Sequence, residues 1–267
     1  MCSPTVRARL SCAALLAVAV ALAGCTSAAP TDLLPAGGVD YQLGTPYDAP
    51  SGTAIVARDR LAPPEPDTFS ICYINAFQTQ PGELGDWPAD TLLRSDGETV
   101  RDPDWPDEVL LDLGDAGARH LVVEHVGGWI RGCGERGFDA VELDNLDSFT
   151  RSGGAFDADA AVQTATTLVG VAHDAGLLAG QKNAAEHSSR MREEAGFDFA
   201  IAEECAAFEE CSAYADVYGE NVIDIEYPDT QGDFPGTCAA GILPERTVLR
   251  DRLLVAPGEK GYLLERC

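Results

Sequence analysis

Eight times between residues 54 and 254 the chain passes through a short apolar run that ends at or beside a polar side chain. The runs cover 54–57, 69–77, 109–113, 140–146, 177–183, 199–204, 221–227 and 247–254. Between several of them lie stretches with helical periodicity. Over 116–136, Leu121, Val122, His125, Val126, Trp129 and Ile130 fall near the 3.6-residue period, and 157–174 carries Ala161, Leu168, Val169 and Val171. Asp157 suits the N-cap of the second helix, and Gly176 lies just past its end. Strand and helix in alternation demand a mostly parallel sheet with both faces covered. Eight strands in a chain of 267 residues predict an α/β fold, a single (β/α)8 TIM barrel. An open doubly wound sheet is the alternative, but it usually brings a glycine-rich phosphate turn, and neither GxGxxG nor GxxxxGK occurs.

A parallel barrel aims all its C-terminal strand ends at one face, where such folds place their chemistry. The polar residues at those ends are therefore read as one site. They are Tyr73 and Asn75, Asp112, the Glu142-Leu143-Asp144-Asn145 series, Lys182 and Asn183, Glu203 and Glu204, and Asp224, Glu226 and Tyr227. Strand parity puts Glu142 and Asp144 on one side, and likewise Asp224 and Glu226. Lys182 is one of only two lysines and faces these acids from a neighbouring strand end. An adjacent ammonium keeps a carboxylate ionised, as a nucleophile requires, whereas a carboxyl beside like charges in a drier spot is pushed up and serves as an acid. Two carboxyls so divided are the equipment of glycoside hydrolysis.

Other chemistries are weaker. His120 and His125 splay around their helix, and His173 reads as a helix-end cation. The sequence has no GxSxG elbow, no CxxC and no HExxH, and the acids at 144–147 lack the central glycine of a calcium loop. No metal and no cofactor is expected. Of the tryptophans Trp87, Trp105 and Trp129, the first two sit in proline-rich loops as candidate sugar platforms and the third reads as core.

The first 24 residues have the layout of an export signal, with Arg7 and Arg9 ahead of a short apolar run. Leu22-Ala23-Gly24-Cys25 resembles a lipobox, which predicts Cys25 as a lipidated N-terminus. Residues 25–40 then read as anchor and tether, and 41–267 as the barrel. The expected location is the outer face of the membrane, held there by lipid alone, or the medium. Six cysteines remain in the exported part, an even number that suits disulfides in an oxidising compartment. Counting alone allows fifteen connectivities. Spacing favours Cys205 with Cys211 across a short loop and Cys238 with Cys267 at the tail, leaving Cys72 with Cys133. With 44 acidic residues against 18 basic ones, the net charge is −26, which argues against nucleic acid as partner and admits a cationic or neutral ligand.

The stretches Tyr41-Gln42-Leu43, ICY at 71–73, LLDL at 110–113, GFDAVELDNLDS at 137–148, AHDAGLLAGQKN at 172–183, FDFAIAEEC at 197–205 and DIEY at 224–227 together resemble glycoside hydrolase family 114, the endo-α-1,4-polygalactosaminidases. The resemblance implies a (β/α)8 barrel that hydrolyses α-1,4-linked galactosamine polymers; the expected partner is an amino-sugar polysaccharide and the expected state a monomer. It carries catalytic carboxylates onto Asp144 and Glu203, with Asp144 as nucleophile and Glu203 as general acid/base by analogy with barrel α-galactosidases. It carries substrate contacts onto Lys182, Asn183 and Glu226. The sequence departs from the family pattern at its first acidic motif, where Asp59 stands in, at Phe138 in place of a cysteine, and at Ala202 and Glu204 beside Glu203. The alternative to catalysis is a polysaccharide-binding surface lipoprotein on a degenerate barrel.

Overall fold

The computed structural model describes Met1 and residues 33–267. The export signal and Cys25 lie outside the described residues. Eight parallel strands form a nearly closed barrel: β1 (Gly38–Gln42), β2 (Thr53–Asp59), β3 (Phe69–Asn75), β4 (Ala140–Asp144), β5 (Leu178–Lys182), β6 (Phe199–Glu203), β7 (Val222–Glu226) and β8 (Arg246–Arg250). A ninth strand, β9 (Leu264–Arg266), pairs antiparallel with β8 and lies against β1, at the seam where β1 and β8 meet. No helix among the described residues is long and apolar enough to cross a membrane.

Two cores hold the sheet. Inside the barrel, Val39, Ile55, Ile71, Ala140, Phe199, Ile201, Ile223, Ile225 and Val248 pack together. Outside, the other faces of β3–β6 bury Ile74, Val141, Leu143, Ala179 and Ala200 against α1 (Ala116–Arg136) and α2 (Ala158–Asp174). The Asp115 carboxylate caps α1 by accepting from the Ala118 N–H at 2.9 Å, and Asp157 caps α2 from the Ala160 N–H at 3.2 Å. Gly137 ends α1 at φ 90°, a left-handed turn that a residue without Cβ makes freely. Later crossovers are shorter: α3 (Ser188–Arg190) with a π-helical turn, α4 (Cys211–Tyr218) and α5 (Phe234–Ala240).

The strand count matches the expectation, but one strand differs. The run 109–113 is not part of the barrel. It makes isolated bridges to Gln78, Leu92 and Arg101 inside the long excursion between β3 and β4. The eighth strand is β1, and its first three residues fall in the stretch that sequence reading assigns to the tether. Leu34 is also buried, its N–H directed at the Asn221 side chain 3.2 Å away, so the ordered domain begins ahead of residue 41.

The cause is the outer face of β1 and β2. No helix follows either strand, and their outward positions carry polar Asp40, Gln42 and Arg58 beside the apolar Val56. Asp40, Gln42 and Arg58 are buried there, and Arg250 of β8 reaches Asp40. Gln42 donates to Asp40 at 2.8 Å, Arg58 donates to Gln42 at 3.0 Å and pairs with Glu65 at 2.5 Å, and Arg250 pairs with Asp40 at 3.2 Å. Burying these charges is tolerable because Asp40, Gln42 and Arg58 find partners on the loops that replace the missing helices, and Arg250 donates to the Val255 and Leu263 carbonyls.

Three disulfides join Cys72 to Cys133, Cys205 to Cys211 and Cys238 to Cys267, the pairs that spacing favours.

Candidate active site

Asp144, Lys182 and Glu203 are the last residues of β4, β5 and β6. In each case the next residue turns the chain through the left-handed region: Asn145 at φ 64°, Asn183 at φ 51° and Glu204 at φ 62°. Asparagine visits this region at modest cost, whereas a glutamate there is held by its surroundings. The Glu204 carboxylate accepts from Arg252 at 2.9 Å and from the Thr230 hydroxyl at 2.6 Å. These turns leave the strand-end side chains standing in a cleft of about 660 Å³ at the barrel mouth.

Lys182 is the hub. Its ammonium is almost wholly buried and donates to the Tyr41 hydroxyl at 2.7 Å and to Glu142 Oε1 at 2.8 Å; Glu203 Oε2 lies 3.4 Å away. Burial works against its charge, but Asp144, Glu142 and Glu203 outweigh that and hold its pKa above the ordinary lysine value. Glu203 also accepts from the Tyr227 hydroxyl at 2.5 Å and from Asn183 Nδ2 at 3.3 Å, while Asn183 Oδ1 accepts the Glu203 N–H at 2.8 Å. Burial alone would raise the Glu203 carboxyl; Lys182, Tyr227 and Asn183 reverse that and hold it below the usual carboxylate range. Asp144 accepts from the Tyr73 hydroxyl at 2.7 Å and from the Asn145 N–H at 2.8 Å. Burial and the neighbouring acids push Tyr41, Tyr73 and Tyr227 well up, so all three remain donors.

Of the residues expected at the site, Tyr73, Asp144, Asn145, Lys182, Asn183, Glu203, Glu204 and Tyr227 line the cleft. Four others stand elsewhere. Glu142 is fully buried beneath Lys182 and forms the floor. Asn75 lies behind the wall, where its carbonyl oxygen accepts from Asn145 at 2.9 Å and its amide donates to Glu108 at 3.0 Å. Asp112 accepts the N–H groups of Gly114 and Asp115 and shapes the entry to α1, because 109–113 is not a barrel strand.

Glu226 faces away from the cleft. On β7 the odd positions Ile223, Ile225 and Tyr227 look into the barrel, so Asp224 and Glu226 look out. There Asp224 accepts from the Cys205 N–H at 3.3 Å and Glu226 accepts from the Ala206 N–H at 2.9 Å. Burial and the facing Glu226 push the Asp224 carboxyl well up, so the pair retains a proton. An acid raised in the folded state binds protons more tightly than in the unfolded chain, and stability falls as pH rises through that interval. We expect Asp224→Asn, which is neutral at every pH, to flatten this slope by up to about 1.4 kcal/mol per pH unit. Urea unfolding at pH 5 and pH 8 measures it, and identical slopes in wild type and variant would contradict the shared proton.

Several cleft residues have no counterpart in the strand-end pattern. Arg151 on the wall reaches Asp102 at 2.7 Å and Asp147 at 2.9 Å, and Arg252 stacks over Tyr227 at 4.3 Å. Trp105 lines the cleft with its ring exposed, whereas Trp87 is buried against His125 and Trp129. His120 and Glu124 form an exposed pair at 3.5 Å, and His173 meets Asp198 at 2.8 Å. Cys205 and Cys211 lie close to Asp224, but their sulfurs are bonded to each other and are not open metal ligands.

A parallel barrel with hydrogen-bonded carboxyls at the ends of β4 and β6 is the architecture of a barrel glycoside hydrolase. The comparisons agree: the glycoside-hydrolase family GH114 model matches residues 22–267, and the chain belongs to that family. It is a glycosidase. No curated protein sequence matches it. Among solved structures, it is similar to Aspergillus fumigatus Ega3 in complex with galactosamine, at 20% identity and TM-score 0.68, covering 91% of this chain and 100% of that one. It is also similar to the glycoside hydrolase domain of PelA from Pseudomonas aeruginosa, at 14% identity and TM-score 0.58, covering 85% of this chain and 97% of that one.

Proposed function

We propose that this protein is an exported glycosidase, lipid-anchored through Cys25, that cleaves α-1,4-linked galactosamine-containing polysaccharide with Asp144 and Glu203 as its working carboxylates. The observation that carries the reading is the Lys182 ammonium, which faces both acids at the strand ends. The galactosamine held by Ega3 supports the sugar class. A net charge of −26 and a cleft that includes Asp59, Asp102, Asp104 and Asp147 suit a polymer bearing free ammonium groups. Three disulfides suit an oxidising compartment.

In this reading Asp144, oriented by Tyr73, attacks the anomeric carbon, while Glu203 protonates the departing oxygen and then takes a proton from water. In the free enzyme Lys182 and Tyr227 favour the ionised form of Glu203, against the raised carboxyl that the sequence leads one to expect of the general acid, and kcat/KM reports the free enzyme. Its alkaline limb therefore falls at the low Glu203 pKa. Activity is expected to peak in the acid range and to decline toward neutrality.

The test is reducing-end release from partly deacetylated α-1,4-galactosaminogalactan by residues 26–267, followed from pH 4 to pH 8. Release that peaks below pH 6 is expected. A peak at or above pH 7 would assign the ionised, nucleophilic role to Glu203. Binding of the polymer without release at any pH would overturn the catalytic reading of this substrate.

A further inference from the structure

Glu142 and Tyr41 are buried away from the cleft, yet both hydrogen-bond to Lys182. Glu142 sits two residues before Asp144 on β4 with its carboxyl fully buried, and Tyr41 on β1 is 1% exposed. The Tyr41 hydroxyl donates to Glu142 Oε1 at 2.6 Å and accepts from Lys182 at 2.7 Å, and the same Oε1 accepts from Lys182 at 2.8 Å. Three groups thus close a triangle below the cleft floor. Lys182 has three N–H donors. Two are consumed in this triangle, which leaves one for the 3.4 Å approach to Glu203. The second oxygen of Glu142 has no hydrogen-bond partner among the described residues.

We propose that Glu142 is a positioning residue: with Tyr41 it clamps Lys182 in the orientation that presents its third donor to Glu203, and its own charge offsets part of the ammonium's field, so that Glu142 sets the pH range over which Asp144 and Glu203 work. The proposal rests on the reading of those two carboxyls as the catalytic pair.

The titratable groups facing Glu142 support this division of charge. Tyr41 from β1, Asp144 from its own strand and Lys182 from β5 act on Glu142 itself, while Tyr73 from β3, Glu203 from β6 and Tyr227 beyond β7 face the Lys182–Tyr41 pair. β2 brings Ala57 and, at the mouth, Asp59, which lines the cleft and accepts from Gln80 at 2.8 Å; β8 brings Val248 and Arg250, whose guanidinium is paired with Asp40 at 3.2 Å. Lys182 is the cation that Glu142, Asp144 and Glu203 share. Burial raises the Glu142 carboxyl and Lys182 pulls it down, with a net rise. Glu142 thus draws on the same ammonium that Asp144 and Glu203 draw on.

The direction of the pH effect follows. Glu142→Gln keeps an oxygen for Tyr41 and Lys182 but removes a negative charge near Asp144 and Glu203. Glu203 then feels more of Lys182, its pKa falls further, and the limb of the kcat/KM profile that it sets moves to lower pH by about one unit. Lys182→Met removes the cation and moves that limb up. Tyr41→Phe takes a donor from Glu142, favours its protonated form, and shifts the limb down by a smaller amount.

The experiment is the kcat/KM–pH profile of residues 26–267 on the galactosamine polymer for wild type and these three variants, with urea unfolding to establish that each folds. Opposite shifts for Glu142→Gln and Lys182→Met, with Tyr41→Phe between Glu142→Gln and wild type, are expected. A folded Glu142→Gln that loses turnover at every pH with its limbs unmoved would reduce Glu142 to a packing role and overturn the proposal. If Glu142→Gln does not fold, Tyr41→Phe decides: unmoved limbs there overturn it as well. Wild-type activity insensitive to Asp144→Asn would instead remove the catalytic reading beneath it, so the two failures are told apart.

Discussion

Asp144→Asn is expected to lower kcat on the galactosamine polymer by about a thousandfold or more, and Glu203→Gln by a similar factor on an unactivated leaving group. Each replacement keeps the shape and removes the charge or the transferable proton. The amide introduced at position 144 would still accept from the Tyr73 hydroxyl, so the loss is not one of packing. A factor of about one thousand corresponds to about 4 kcal/mol of transition-state stabilisation. KM is expected to change little, because Lys182, Asn183 and Arg252 remain in the cleft. The two roles separate on substrates with a good leaving group. Glu203→Gln then regains much of its first step, since no proton need be given, and added azide speeds turnover of the trapped glycosyl-enzyme. Asp144→Asn regains nothing there, because the attacking group itself is gone. If either variant stays within about tenfold of wild type on the polymer, that carboxyl is not part of the working pair.

The strand-end rule makes Asp144, Asn145, Lys182, Asn183, Glu203, Glu204 and Tyr227 legible from the chain alone, since a parallel barrel aims those positions at one mouth. Parity is less informative. It groups Asp224 with Glu226 as firmly as Glu142 with Asp144, but a parallel strand is buried on both sides, and nothing local says which side is the barrel interior. Only the packing of Ile223 and Ile225 into the inner core turns Glu226 outward. The same ambiguity misplaces two strands. An apolar run such as 109–113 signals burial and not a partner, whereas β1, with Asp40 and Gln42 facing an ion network, lacks the apolar signature despite being central to closure. Arg151 reaches the cleft from a single 3-10 turn and Arg252 from a loop, where no periodicity marks them. Glu142 is legible as a site residue, but its place beneath Lys182 comes from the distances alone.

Breaking the Cys72–Cys133, Cys238–Cys267 and Cys205–Cys211 bridges one at a time is expected to cost about 4, about 3.5 and about 2 kcal/mol of unfolding free energy. The order follows from the sequence separations of 61, 29 and 6 residues, because a longer closed loop restrains more of the unfolded chain. Together the three are comparable with the whole stability margin of an ordinary domain. Their positions also differ. Cys72 on β3 and Cys133 on α1 are both fully buried and fasten the first helix of the barrel to the sheet. Cys267 follows β9 and is tied to α5, which holds the antiparallel strand at the seam between β8 and β1. Losing that bridge is therefore expected to deprotect the β8 and β9 amides to hydrogen exchange as well as lower stability, while Cys72→Ala with Cys133→Ala leaves the seam protected. The Cys205–Cys211 loop adjoins Glu204, so its removal should cost less stability and more activity than the others. Urea unfolding and native-state exchange on the three double variants check both the order and the place. An order that does not follow loop length would mean that native-state contacts, and not the restrained unfolded chain, give these bridges their effect.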